Sequence, residues 1–329
     1  MKLGKLDNDT LERLILQKFP KTRSESFGAP RIGMDCATLD FGDDLIVTSC
    51  DPITSADWKH IGALSVHVNC NDAAAGGAEP VGLLVTLLLP PDATEEMVDQ
   101  IANDLKAAAN AANVDILGGH TEVTDAVTRV TTCTTVLAKT PRRKLLCGAK
   151  PGDAIVMTKW AGLEGTLLMA TDFADRLAAI PPALLSSARG FSEYLSVVPE
   201  SRVALRLGAH AMHDVTEGGV LGAVWELSAQ SHCGVIVEKD AIPVREETAL
   251  FCETLGLDPC RLIASGSMLI ACPDGAAMTA ALQDAGIPAA VIGRITESGY
   301  AFSDGSPIDP PDTDELYRLF AHSDAENMD

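Results

Sequence analysis

The residues best suited to chemistry are acids placed beside glycines or at the ends of apolar runs. Asp35 lies two residues past Gly33 in "RIGMDCATLD", and Asp51 closes the apolar run "DLIVTSCDP". Asn71 and Asp72 stand just before Gly76 and Gly77 in "VHVNCNDAAAGGAEP". His120 and Glu122 follow Gly118 and Gly119 in "LGGHTEV", and "HDVTEGGVLG" carries Asp214 and Glu217. Carboxylate and amide oxygens at turns and strand ends suit Mg²⁺, which takes oxygen ligands and shares its shell with substrate phosphates. Each position also has a plain structural reading. An Asp near Gly serves turns, Asp214 or Thr216 can cap a helix, and a lone histidine is often a hydrogen-bonded structural group. For Asp72 two readings stand side by side: a cap or turn, or a carboxylate wanted where the Gly76-Gly77 backbone comes close to something.

The whole composition narrows the partners. The chain has 329 residues, 47% hydrophobic and 22% charged, which is globular and long enough for two domains. A formal net charge of −21 opposes nucleic acid and anionic membranes, and only the short "KTPRRK" is basic. Aromatic residues at 4% leave few surfaces for base stacking. No P-loop, dinucleotide fingerprint, G-x-S-x-G or H-E-x-x-H is present. A polyphosphate would therefore need divalent cations to meet this acidic chain. Nine scattered cysteines without a C-x-x-C predict free thiols in a reducing compartment, none of them essential. The start "MKLGKLDNDTLERL" lacks a signal core, and "VGLLVTLLLPP" is too short to span a bilayer, so a cytoplasmic protein is expected.

The elements that must position these residues follow from periodicity. Helical spacing is found over 8–20, in "DWKHIGALSVHVNCNDAAAG", and from Thr94 to about Asn113, where Glu95 and Glu96 match the positive helix end. Strands are expected at 44–52, "VGLLVTLLLP", 114–119 and 126–139, giving a first α/β or α+β unit that ends near residue 140. The second half opens with "AIVMTK" and alternates helices near 183–196, 201–209, 220–231, 246–256 and 274–285 with strands "GVIVEKD", "SMLIACP" and "AAVIGRI".

In order and wording, "IGMDCA", "SCDPIT", "VNCNDAAAGGAEP", "LGGHTEV", "KPGDAIVMTKWAGLEGT" and "HDVTEGGVLGAVWELS" resemble the aminoimidazole ribonucleotide synthetase superfamily, and within it HypE-like proteins. The resemblance implies an α/β (α+β) fold of two domains, 1–145 and 146–329. The first, ferredoxin-like, would form a barrel with the sheet of a second subunit in a homodimer, with ATP in the groove between domains. It implies Asp35, Asp51, Asp72 and Asp214 as Mg²⁺ ligands, with Asn71, Gly118, Gly119 and Thr121 also at the nucleotide. His120, Glu164 and Glu217 are candidates for proton transfer. The implied reaction is phosphorylation or activation of an oxygen on a small molecule or modified residue. The alternatives are a thiamine-monophosphate-kinase-like enzyme, or a nucleotide-binding maturation or regulatory protein without turnover. Against the HypE pattern, His120 replaces an Asp, Glu164 a His and Ser265 a Glu, and this sequence ends "AHSDAENMD" without a cysteine. The ATP site is thus expected to be kept and the family's known second-substrate chemistry to be lost.

Overall fold

The computed structural model describes residues 8, 12, 32, 36–40, 42–141, 146 and 148–319. Asp35, Cys147 and nearly all of the helix expected over 8–20 lie outside the described residues. The first unit is a five-stranded sheet of β1 (Ala37–Asp40), β2 (Asp44–Ile53), β3 (Glu79–Leu89), β4 (Asp115–Val123) and β5 (Thr131–Pro141). The strand order is β1-β2-β5-β3-β4, and only β3 and β4 run parallel. A parallel pair needs a crossover, which is supplied here by a helix.

Helix α1 (Trp58–Ala75) starts at Asp57, whose side chain accepts from Lys59 N–H. It stops at the glycine pair. Gly77 has φ +77°, its N–H bonds to Ala74 O, and Ala78 N–H reaches back to Ala73 O, the closed helix stop that a left-handed glycine permits. Asp72 is therefore not a turn residue but a buried side chain in the last turn of α1. Helix α2 (Glu95–Ala112) is the β3–β4 crossover, capped by Thr94 and ended by left-handed Asn113, as its sequence predicts.

The second unit places β6 (Ala154–Thr158), β7 (Ala211–Asp214), β8 (Gly234–Val237), β9 (Met268–Cys272), β10 (Ala289–Thr296) and β11 (Tyr300–Phe302) in one sheet. Its order is β11-β8-β10-β6-β9-β7, antiparallel except for β8 with β11. Six helices surround it: α3 (Leu163–Asp172), α4 (Pro182–Arg189), α5 (Val198–Arg206), α6 (Gly219–Gln230), α7 (Glu246–Leu255) and α8 (Gly275–Asp284). Some details differ from expectation, among them the short strands β1 and β11, which the sequence reading did not anticipate. The segment expected as one helix over 183–196 breaks after α4 into a short 3₁₀ turn, Gly190–Tyr194. Helix α3, with a glycine at its N-cap, and the four-residue β7 are too weakly patterned to be read from sequence.

Helix α1 also packs against α5 and β7, so the two units share it. Asn71 ties this joint with both ends of its amide: Nδ2 donates to Leu195 O at 2.7 Å, and Oδ1 accepts Val197 N–H at 2.8 Å. Lys159, just past β6, grips the same segment. Its ammonium donates to Tyr194 O, Ser196 O and Gly266 O at 2.9, 2.7 and 2.6 Å and pairs with Glu200 at 2.5 Å. Burial alone pushes Lys159 down and Glu200 up, while their mutual attraction opposes both shifts. With three carbonyls and a carboxylate to satisfy, the ammonium form fits the site. Lys159→Met leaves the Glu200 carboxylate buried without its cation, and a loss of about 3–5 kcal/mol of stability is expected. Adding Glu200→Leu should return much of that loss. A double-mutant cycle by chemical denaturation measures the coupling, and strictly additive losses would refute it.

Candidate functional site

Helix α1 turns a polar stripe toward the first sheet. Ser65, Asn69 and Asp72 follow one another at spacings of four and three residues, so they share one helix face. Ser65 Oγ lies 2.6 Å from Thr132 Oγ1, Asn69 Oδ1 accepts Asp51 N–H at 3.0 Å, and Asp72 Oδ2 accepts Ser49 Oγ–H at 2.5 Å. Ser49 and Asp51 are two apart on β2 and so point to the same, helix-covered face. Two tethers, Ser49–Asp72 and Asp51–Asn69, thus bring the end of β2 and the end of α1 together. Asp72 is 4% exposed and lies at the negative end of α1. Burial and the helix dipole both disfavour a carboxylate there, and a cation offsets both. Sequence reading missed Ser49, Ser65 and Asn69; the four-then-three spacing to Asp72 marked Ser65 and Asn69, and Ser49 lies two residues before Asp51 on β2.

The remaining expected residues fall in three places. Asp51, Thr134, Val85 and Gly119 form one row across the sheet, so Gly119 stands three strand spacings, about 14 Å, from Asp51. Gly119, at φ +145°, is required by the sheet itself: a Cβ there would collide with the Val85 carbonyl. Thr121 pairs with Leu87, which faces the helices. His120 and Glu122, 3.3 Å apart and exposed, alternate to the other face. Within one chain His120 is therefore not brought to Asp51 and Asp72. Asp214 is buried at the end of β7. Neither it nor Thr216 caps α6; the N-cap is Gly218, whose N–H is taken by Asp314 Oδ2 at 2.7 Å. Asn71 lies among the joint contacts given above. Among the described residues no group of three or more His, Cys, Asp or Glu side chains is placed to hold a metal ion.

Glu164 and Glu217 do meet, in a different place. They line one cavity of about 70 Å³ with Asp314, Tyr317 and Pro52–Ala56, the segment that directly follows Asp51. Tyr317 Oη donates to Glu217 Oε1 at 3.1 Å, and Leu316 N–H donates to Asp314 Oδ1 at 2.8 Å. Burial pushes Glu164 up to about 7; Asp314 and Glu217 add repulsion, and Ser265 pulls the other way. Burial also raises Asp314 to about 6, against the N–H groups that hold it. Neither Asp314 nor Tyr317 was anticipated, because nothing in "PDTDELYRLF" marks two of its residues as facing an interdomain cavity.

These two acids bind protons more tightly folded than unfolded. Their stabilising effect is complete below their unfolded values and is lost as pH rises through about 6 and 7. Stability should therefore fall between about pH 4 and pH 7, with Glu164 accounting for on the order of 3 kcal/mol. Glu164→Gln should be more stable than wild type at the alkaline end of that range. Thermal melts across the range check this, and identical curves for the two proteins would contradict it.

Comparison with known proteins extends these observations. Residues 33–139 match the AIR synthase related protein N-terminal domain, and 150–304 match its C-terminal domain. A carbamoyl dehydratase HypE from Cupriavidus necator is 31% identical over 254 residues, 74% of this chain and 69% of that one. The crystal structure of hydrogenase maturation protein HypE in complex with ATP has a TM-score of 0.72 at 24% identity, covering 96% of this chain and 97% of that one. AaThiL complexed with AMPPCP and TMP has a TM-score of 0.73 at 17% identity, covering 94% and 98%. Asp314 and Tyr317 lie beyond the matched domains. With both domains matched in order and the two-sheet architecture shared, the chain belongs to the AIR synthase related family.

Proposed function

We propose that this protein is a Mg²⁺- and ATP-dependent enzyme that phosphorylates or otherwise activates an oxygen of a small molecule or modified residue. The observation that carries the reading is the buried Asp72 carboxylate at the negative end of α1, tethered beside Asp51. Mg²⁺ in phosphoryl-transfer sites takes one or two carboxylates and completes its shell with phosphate and water oxygens. Asp51 and Asp72 supply that number, from a strand and a helix that are both fixed by hydrogen bonds. A nucleotide brings phosphate oxygens; the cation lets them approach a chain of net charge −21. Rate acceleration comes from positioning and charge neutralisation, and the chain's own contribution is a pair of acids held in place by hydrogen bonds. Family relatives with bound ATP or an ATP analogue support the same assignment. Glu164 and Glu217 line the wall next to Asp51, where they can hold or accept the acceptor's proton.

The proposed enzyme is a homodimer. β4 is an edge strand, exposed along all nine residues, and Ile116, Leu117 and Val123 join Val81 and Leu84 of β3 as exposed apolar side chains. A second copy would cover this edge. Light scattering should give twice the chain mass of 34.5 kDa, and a clean monomer at micromolar concentration would refute the dimer.

Asp72→Asn keeps the shape and the acceptor for Ser49 but removes one anionic ligand. Affinity for Mg²⁺-ATP should fall about tenfold or more, or about 1.4 kcal/mol. Thermal shifts with ATP, with and without Mg²⁺, on both proteins measure it. A nucleotide shift that ignores both the metal and the substitution would sink the proposal.

A further inference from the structure

The cavity between Pro52–Ala56 and the second unit has three carboxyl groups, Glu164, Glu217 and Asp314, and no Lys, Arg or His in its lining. Glu217 is steadied by Tyr317, and Asp314 by the N–H groups of Gly218 and Leu316. Glu164 is different. Its residue is 4% exposed, and although Ser265 lies close enough to lower its proton affinity, its Oε2 makes no well-formed hydrogen bond among the described residues. A buried polar oxygen without a partner is costly, and folded proteins keep few of them. Ile53, Leu168, Ile263 and Leu316 give the cavity apolar walls, and the polar residues that share its lining, Thr54, Ser55 and Tyr317 among them, make no hydrogen bond to that oxygen.

We infer that this cavity binds a small organic cation with N–H donors, an ammonium, amidine or guanidinium head group, held by Glu164, Glu217 and Asp314. Its volume of about 70 Å³ is little more than twice the roughly 30 Å³ share of one water, far below the several hundred Å³ of whole-ligand pockets. It takes a head group and not a nucleotide. A metal ion is disfavoured, because these carboxylates do not form a metal-holding group among the described residues. Three carboxyl acceptors around a small, partly apolar cavity match a cation with several divergent donors, and charge-assisted N–H bonds are stronger where water is scarce. Because the Pro52–Ala56 wall follows directly from Asp51, a head group anchored here sits beside the proposed phosphate-binding end of β2. The inference depends on the proposed function only in naming this cation as part of the acceptor; the binding itself stands apart from it.

The test uses the full chain in alkaline buffer, where Glu164 is ionised, with methylammonium and guanidinium chlorides as probes. Guanidinium at millimolar concentration is far below the molar range in which it unfolds proteins. Wild type should show a saturable rise in melting temperature with millimolar affinity, as expected for a few-atom ligand. Tetramethylammonium at the same ionic strength, bulkier and without N–H donors, should give no saturable rise. Glu164→Gln should weaken probe binding about tenfold or more. Glu217→Gln should weaken it too, and it replaces the first variant if circular dichroism shows that one misfolded. Absence of saturation, an equal response to tetramethylammonium, unchanged binding in both variants, or saturation by Mg²⁺ alone would each overturn the inference. A Mg²⁺-ATP titration of wild type is read separately: nucleotide binding without probe binding defeats only the cation site, and the reverse defeats only the proposed function.

Discussion

The ammonium of Lys159 is buried among three backbone carbonyls and the Glu200 carboxylate, where the two units of the fold meet. Asn71 holds the same short segment from α1, so residues 194–197 are gripped from both sides. Buried polar groups of this kind are demanding, because each left unpaired costs more than a made bond returns. Here the ammonium and the amide are paired at each end, and together they fix one geometry. Both acidic regions inherit it. Asp72 lies one residue beyond Asn71 on α1, and the Glu164 cavity closes only where Pro52–Ala56 meets the second unit. His67, also near Lys159, is pushed down to about 4 by burial and then by that ammonium, so it adds no second charge to the joint at neutral pH.

The two acidic regions solve the problem of keeping carboxylates in a protein interior in different ways. At Asp72 the carboxylate accepts from Ser49, beside Asp51, whose own backbone is tied to Asn69. In the cavity, Glu217 and Asp314 have donors of their own, but desolvation dominates at Glu164 and raises its proton affinity into the neutral range. The first arrangement suits a divalent ion shared with phosphates. The second suits a group that carries its own N–H donors or exchanges a proton. The end of β2 links them: Asp51 belongs to the first and Pro52–Ala56, which follows it directly, walls the second.

The free edge and open face of the first sheet complete the picture. Gly119 serves the close approach of β4 to Val85, while the apolar residues of β3 and β4 stand exposed. On the same open face Cys50 and Cys133 bring their sulfurs to 3.5 Å across neighbouring strands. They are 83 residues apart in the chain, so no spacing rule could have paired them. None of the eight described cysteines is in a disulfide.

Local chemistry determined much of this protein from its sequence alone. Thr94 and Asn113 bound α2, the Gly76-Gly77 pair stops α1, and the apolar runs become β2 and β3, because caps, left-handed glycines and period-two burial are decided within a few residues. The six ordered motifs were equally legible, since the matched family domains cover nearly the same span. Tertiary structure alone decided which acids meet. It joined Asp72 to Ser49, carried His120 to the opposite face from Asp51, assigned Asn71 to the joint, and gathered Glu164, Glu217 and Asp314 into one cavity. A carboxylate's partners are set by sheet register and by the packing of distant elements, and neither leaves a mark on the residues that flank it.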